Sequence, residues 1–314
     1  MSYDQREYYE PYSFQPYGAL RRVWRLLYPV ILFYALQGII IGIMSVATMV
    51  PLMIDAMGGA SAIADGSFKY PDYAELTPLI TEATAELMMP ALAVADLFAL
   101  VVFGLIWRKT RTYIPRFERP EMTKTAVFGV FALLGGHALL NVLLGLLLQN
   151  PEMNESYSSV NTLLTSGSIP LRLITVAVLG PIVEEFIFRG ILINRAVYWM
   201  PKWAAVVVSA LIFGALHGNL IQSAYAFLAG LMFGYIYIKT RNIIACIAAH
   251  IAFNIYDQII ALLADYVTAE TLGAIALTGM LVCVALGVFG AINFVKAKWA
   301  VLPANEDAED ALPP

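Results

Sequence analysis

Charge is scarce in this sequence: of 314 residues only 13% are charged, while 60% are hydrophobic. With a mean hydropathy of +0.72, that scarcity excludes an ordinary soluble domain. Cysteine is almost absent too. Cys246 and Cys283 alone, both in apolar runs, exclude a disulfide framework and a CxxC metal site. The HExxH signature of helix-borne zinc proteases is missing, and no internal repeat stands out. No basic, aromatic surface points to nucleic acid, and a net charge of −4 says little about partners. The opening "MSYDQREYYEPYSFQPYGALRRVW" is polar and ends in arginines rather than a small-residue cleavage site, so no cleavable signal peptide is expected.

What the sequence has instead is long apolar runs. A hydrocarbon core about 30 Å thick needs roughly 20 mostly apolar residues per helix. Eight segments meet that length: 27–53, 88–107, 125–148, 173–193, 204–221, 222–238, 243–264 and 271–295. The expected fold is therefore an all-α polytopic membrane protein with about eight transmembrane helices.

Basic residues gather in cytoplasmic loops. With eight spans, all Lys and Arg except Lys69 and Arg172 fall on one side, and that side also holds Trp24, Trp107, Trp199, Trp203 and Trp299 at predicted boundaries. Both termini are predicted to be cytoplasmic in a multi-pass protein of the cell membrane. Residues 55–87 read as a long external loop able to hold a short interfacial helix, and the acidic tail 301–314 reads as disordered.

Ionisable groups at bilayer depth are costly and need an explanation. Those predicted here are Asp96, Glu184, Glu185, Arg189, Asp257, His137, His217 and His250. In "PIVEEFIFRG" successive residues are about 100° apart on a helix, so Glu184 and Glu185 face differently. Glu185 and Arg189 are i,i+4 in the favourable order and can pair, which leaves Glu184 free for proton transfer. The same three residues would equally suit a cluster that merely positions the helix.

In "LIFGALHGN" Phe213 can lie one turn from His217 and hold its ring. Glu184 and His217 are nearly equidistant from the turn at Pro201, so in an antiparallel hairpin they reach similar depth and can meet. In "CIAAHIAFNIYDQ" His250 and Asn254 are i,i+4, with Asp257 one turn further along to orient them. A histidine and an amide facing one cavity can stabilise an oxyanion, or they can be polar glue between helices. The sequence supplies its own warning, because "GGHALLN" gives His137 and Asn141 the same spacing. That pair reads as structural, its Gly-Gly neighbour favouring close helix packing.

Taken together, Glu184-Glu185-x-x-x-Arg189, Phe213-x-x-x-His217 and His250-x-x-x-Asn254 resemble the CPBP family of intramembrane proteases, which includes the CAAX prenyl endopeptidases and is also called the ABI family. The resemblance covers roughly residues 170–265. It implies peptide-bond hydrolysis in a membrane cavity open to the cytoplasm, on a membrane-associated protein or peptide. Carried onto this chain, Glu184 would activate water with help from His217. His250 and Asn254 would stabilise the oxyanion, and Glu185, Arg189 and Phe213 would support them. No cofactor is expected; the alternative is zinc held by Glu184, His217 and His250. The expected organisation is a cytoplasmic segment 1–26, helices 1–3 within 27–169, a protease core of helices 4–7 at 170–265, helix 8 within 266–300, and the tail. Two other readings use the same residues: an inactive relative acting as a membrane scaffold or bacteriocin-immunity protein, and a proton-coupled transporter.

Overall fold

A computed structural model describes residues 18–111, 120–164, 167–197 and 200–297. Among them there are only helices, turns and bends. Ten helices follow in order: α1 (Ala19–Ala56), α2 (Gly59–Asp65), α3 (Tyr73–Arg111), α4 (Pro120–Leu147), α5 (Pro151–Leu164), α6 (169–196), α7 (Lys202–Ala215), α8 (Leu220–Thr240), α9 (Ile243–Leu263) and α10 (Ala269–Lys296). The acidic tail 301–314, most of the predicted N-terminal segment, Trp199 and Trp299 lie outside the described residues.

Six helices (α1, α3, α4, α8, α9 and α10) are by themselves long and apolar enough to cross a membrane. The chain is an all-α polytopic membrane protein. The two remaining predicted spans take another form. Helix α7 has 14 residues, about 21 Å at 1.5 Å per residue, and so is shorter than the hydrocarbon core. Its partner α6 alternates between α- and π-helical turns. Leu173–Leu179 and Phe186–Ile193 are π-helical and flank the α-helical Gly180–Glu185.

The expected external loop 55–87 is mostly helix. Ser67 donates through both its backbone N–H and its hydroxyl to Asp65 Oδ1, at 2.9 and 2.6 Å, and these bonds hold the Asp65 carboxyl below its ordinary range. The turn closes α2, and α3 begins soon after at Tyr73. The 38 residues of α1 and 39 of α3 correspond to nearly twice the bilayer core, so both must project beyond it. Helix α5 had no counterpart among the predicted elements. Asn150 starts it by accepting from the N–H groups of Glu152 and Met153 at 3.0 and 3.2 Å.

Lipid offers no hydrophobic driving force between helices, so close packing relies on small residues. Helices α4 and α10 meet at such a seam. A Cβ built on Gly135 would lie 2.6 Å from the Gly287 Cα, and one on Gly290 would lie 2.6 Å from the Ala132 nitrogen. Gly287→Ala should therefore destabilise the fold by about 1–3 kcal/mol through overpacking. Gly273→Ala, on the same helix with open space around it, should cost nothing measurable. Equal thermal midpoints for the two purified variants would contradict this seam.

Candidate active site

Three hairpin features bring the motif residues together. Asn219 caps α8 by accepting from the Gln222 N–H at 2.9 Å. Gly214 leaves room for the Ser223 carbonyl, which would stand 2.7 Å from a Cβ there, so α7 and α8 close tightly. Arg241, at φ 53°, and Asn242, which accepts from the Ala245 N–H at 3.2 Å, turn the chain from α8 into α9. Helix α9 then lies against α6.

Glu185 and Arg189 are both fully buried and joined at 3.0 Å. The guanidinium also donates to the Gly230 carbonyl at 3.2 Å, and lies 4.9 Å from the Phe213 ring centre and 5.1 Å from that of Phe233. This environment meets part of the cation's need for partners away from water, while Arg189 Nε and Glu185 Oε2 are buried without a hydrogen bond among the described residues. Glu184 points elsewhere, with its side chain 24% exposed.

His250 stands between the two glutamates. Its Nδ1 is 2.9 Å from Glu185 Oε1 and its Nε2 is 3.6 Å from Glu184 Oε2. An ionised carboxylate only accepts, so the Glu185 contact puts a proton on Nδ1 and leaves Nε2 turned to Glu184. Phe233 stacks on the ring, with centres 4.9 Å apart and planes 26° apart.

The depth argument paired Glu184 with His217, and the ring in direct contact with Glu184 is that of His250. His217 sits in the turn just beyond α7 rather than on the helix, because Asn219 already begins the next one. Its ring remains against Phe213, with centres 4.6 Å apart, and its Nδ1 lies 2.7 Å from the Phe213 carbonyl oxygen. A carbonyl can only accept, so Nδ1 carries the proton and Nε2 keeps its lone pair. Phe213 bridges the two histidines, its ring centre 6.0 Å from that of His250. Asn254 donates to the Val176 carbonyl at 2.9 Å, in the first π-helical turn of α6.

Asp257 does not orient His250 and Asn254. Seven residues beyond His250 it stands about 10 Å further along α9, where its neighbour is α4, and there it meets His137 at 3.2 Å. Among the described residues no group of three or more His, Cys, Asp and Glu side chains is arranged to hold a metal ion. Nδ1 of His250 is bonded to Glu185 and that of His217 to a backbone carbonyl, so Nε2 is the remaining ring nitrogen of each.

Several site residues have no motif to announce them. The Tyr34 hydroxyl, on α1, donates to the Leu216 carbonyl at 3.2 Å, and the Ser223 hydroxyl donates to the His217 carbonyl at 2.9 Å. The Asn219 amide donates to the Ser156 carbonyl of α5 at 3.1 Å. Together they tie the His217 turn to α1, α8 and α5. Asp96 of α3, bonded to Gln37 at 3.2 Å, and Tyr34 both lie within electrostatic range of Glu184.

Residues 166–256 match the family model described as type II CAAX prenyl endopeptidase Rce1-like. A Bacillus subtilis (strain 168) protein described as "Putative membrane peptidase YdiL" is 32% identical over 95 residues, 30% of this chain and 39% of that protein. An Escherichia coli protein described as "Uncharacterized 24.3 kDa protein" is 33% identical over 96 residues, 28% of this chain and 44% of its own length. The chain thus spans less than half the length of these curated relatives. No solved structure matches. The three motifs, the π-helical turns of α6 and the Glu184–His250–Glu185–Arg189 contacts all lie inside the matched segment, and over that segment the chain is similar to the Rce1-like CAAX prenyl endopeptidases, the resemblance that its motifs carry.

Proposed function

We propose that this protein is an intramembrane endopeptidase that hydrolyses a peptide bond of a membrane-associated protein or peptide without a metal. The observation that carries the reading is the division of labour on α6. Glu185 is sealed into an ion pair, while Glu184 stays partly accessible beside His250. At 3.6 Å the Glu184 carboxylate and His250 Nε2 are too far apart for a good direct bond and close enough for one water to bond both.

Glu184 takes a proton as that water's oxygen attacks the peptide carbonyl carbon. The negative charge then develops on the carbonyl oxygen, where Asn254 can donate its second amide N–H, the first being used on Val176. His250, one turn earlier on α9, faces the same intermediate. Collapse of the intermediate breaks the C–N bond, and the proton held by Glu184 passes to the leaving nitrogen with His217 Nε2 as relay. In this reading both termini are cytoplasmic, which the gathering of basic residues on one side supports.

The test maps newly formed peptide termini in membranes containing the parent or His217→Ala, with and without a strong zinc chelator. Loss of a proton relay should lower the rate of terminus formation by about 10²–10⁴-fold, and the chelator should leave the parent unchanged. Indistinguishable profiles for parent and variant would remove His217 from the mechanism. Chelator-sensitive cleavage restored by added zinc would contradict the metal-free chemistry.

A further inference from the structure

The second HxxxN pair builds a site of its own. His137 is buried on α4. Its Nε2 lies 3.2 Å from Asp257 Oδ1 of α9 and 3.2 Å from the Asn141 amide nitrogen. The Phe253 ring lies 4.1 Å from the His137 ring, and Tyr256 meets it edge-on at 5.4 Å. His137, Asn141, Tyr256 and Asp257 form one wall of a half-open cavity of about 520 Å³ between α4, α5, α9 and α10. It lies at the end of the bundle where α4 and α9 finish and α10 begins, away from the α8–α9 turn.

The lining has a definite chemical sense. Among the described residues Asp257 is its one formal charge, and no Lys or Arg lines it. His137 and Asn141 meet this carboxylate from the bundle side, yet its side chain remains 44% exposed. It stands six residues before the end of α9, about 9 Å along the helix axis, where an uncovered carboxylate is expensive. Gln258 also lines the cavity. It is only 6% exposed, and its Oε1 is buried and accepts no hydrogen bond among the described residues. Tyr157 and Tyr256 supply aromatic faces. Burial, with the Asp257 charge beside it, pushes the Tyr157 hydroxyl above its ordinary value, so Tyr157 remains neutral. Asn161 adds a polar side chain, and the rest of the wall is largely apolar, including Leu277 and Met280.

We propose that this cavity binds an organic ammonium group carried on an apolar body, with Asp257 as counter-ion and the two tyrosines as walls. A bare inorganic cation would leave most of the volume and the apolar wall unused, whereas small-molecule sites are commonly of this size and mixed character. The ammonium can belong to a soluble amine or to the headgroup of phosphatidylethanolamine.

The probe is 2-phenylethylammonium, titrated by calorimetry into the full chain in nanodiscs, with 2-phenylethanol as its neutral counterpart. The parent should bind the ammonium at least tenfold more tightly than the alcohol. Asp257→Asn should weaken the ammonium at least tenfold, and Met280→Trp, which fills the apolar wall, should do likewise. Discs of phosphatidylethanolamine and phosphatidylglycerol distinguish the sources. Weaker probe binding in phosphatidylethanolamine for the parent, absent in Asp257→Asn, identifies the lipid; equal affinity in both identifies a soluble amine. Equal binding of ammonium and alcohol, or an unchanged affinity in both variants, overturns the proposal.

Discussion

Glu184→Gln is expected to abolish the appearance of new peptide termini while leaving the protein folded. Glutamine keeps the shape of the side chain and can still bond a water, but it cannot take a proton from it. General-base catalysis is commonly worth about 10²–10⁴-fold, and Glu185 is not free to take over, because it is bound to both Arg189 and His250. Stability should change little, since the Glu184 side chain is 24% exposed and its contact with His250, at 3.6 Å, is loose. Peptide mapping and thermal unfolding of the same preparation separate the two effects. A variant that cuts normally would move the base elsewhere, and one that unfolds would make Glu184 a structural residue.

Arg189→Met is expected to give the opposite pattern, with its main effect on stability. Both members of the Glu185–Arg189 pair are fully buried, and removing one partner strands a buried charge at about 3–5 kcal/mol. It also strands the Gly230 carbonyl, which accepts from the guanidinium at 3.2 Å. Adding Glu185→Gln to this variant should recover part of the loss, because the stranded charge is then gone. Thermal unfolding of parent, single and double variants reads the result directly. A single variant within about 1 kcal/mol of the parent would mean that the pair does not hold α6 in place.

The part of the site set by helical phase was legible in the sequence. Spacing alone separated Glu185 and Arg189 from Glu184, and Phe213 does hold the His217 ring. The neighbours across helices were harder to read. Equal distance from Pro201 assumed two straight helices, but α6 carries two π-helical turns and α7 stops at Ala215. Each π turn changes the angle and rise that residue counting takes as constant, and the contact of His250 with Glu184 was not foreseen from the count. Asp257 misled for a related reason: shared phase on α9 says nothing of which helix lies opposite two turns on. Tyr34 and Ser223 left no signal, because each acts by donating to a backbone carbonyl, which no residue pattern records. Most of the bundle followed from hydropathy, whereas α7 fell short because an apolar run does not reveal where Asn219 caps the next helix.

The central claim is that Glu184 makes a water molecule attack a peptide bond within the membrane protein's own site. The most direct measurement is cleavage in water enriched in oxygen-18, comparing membranes with the parent and with Glu184→Gln. The parent should yield new carboxyl termini that carry one heavy oxygen from solvent, and the variant should yield none of those termini. Labelled termini appearing equally in both membranes would contradict the assignment of this protein as the protease and of Glu184 as its base.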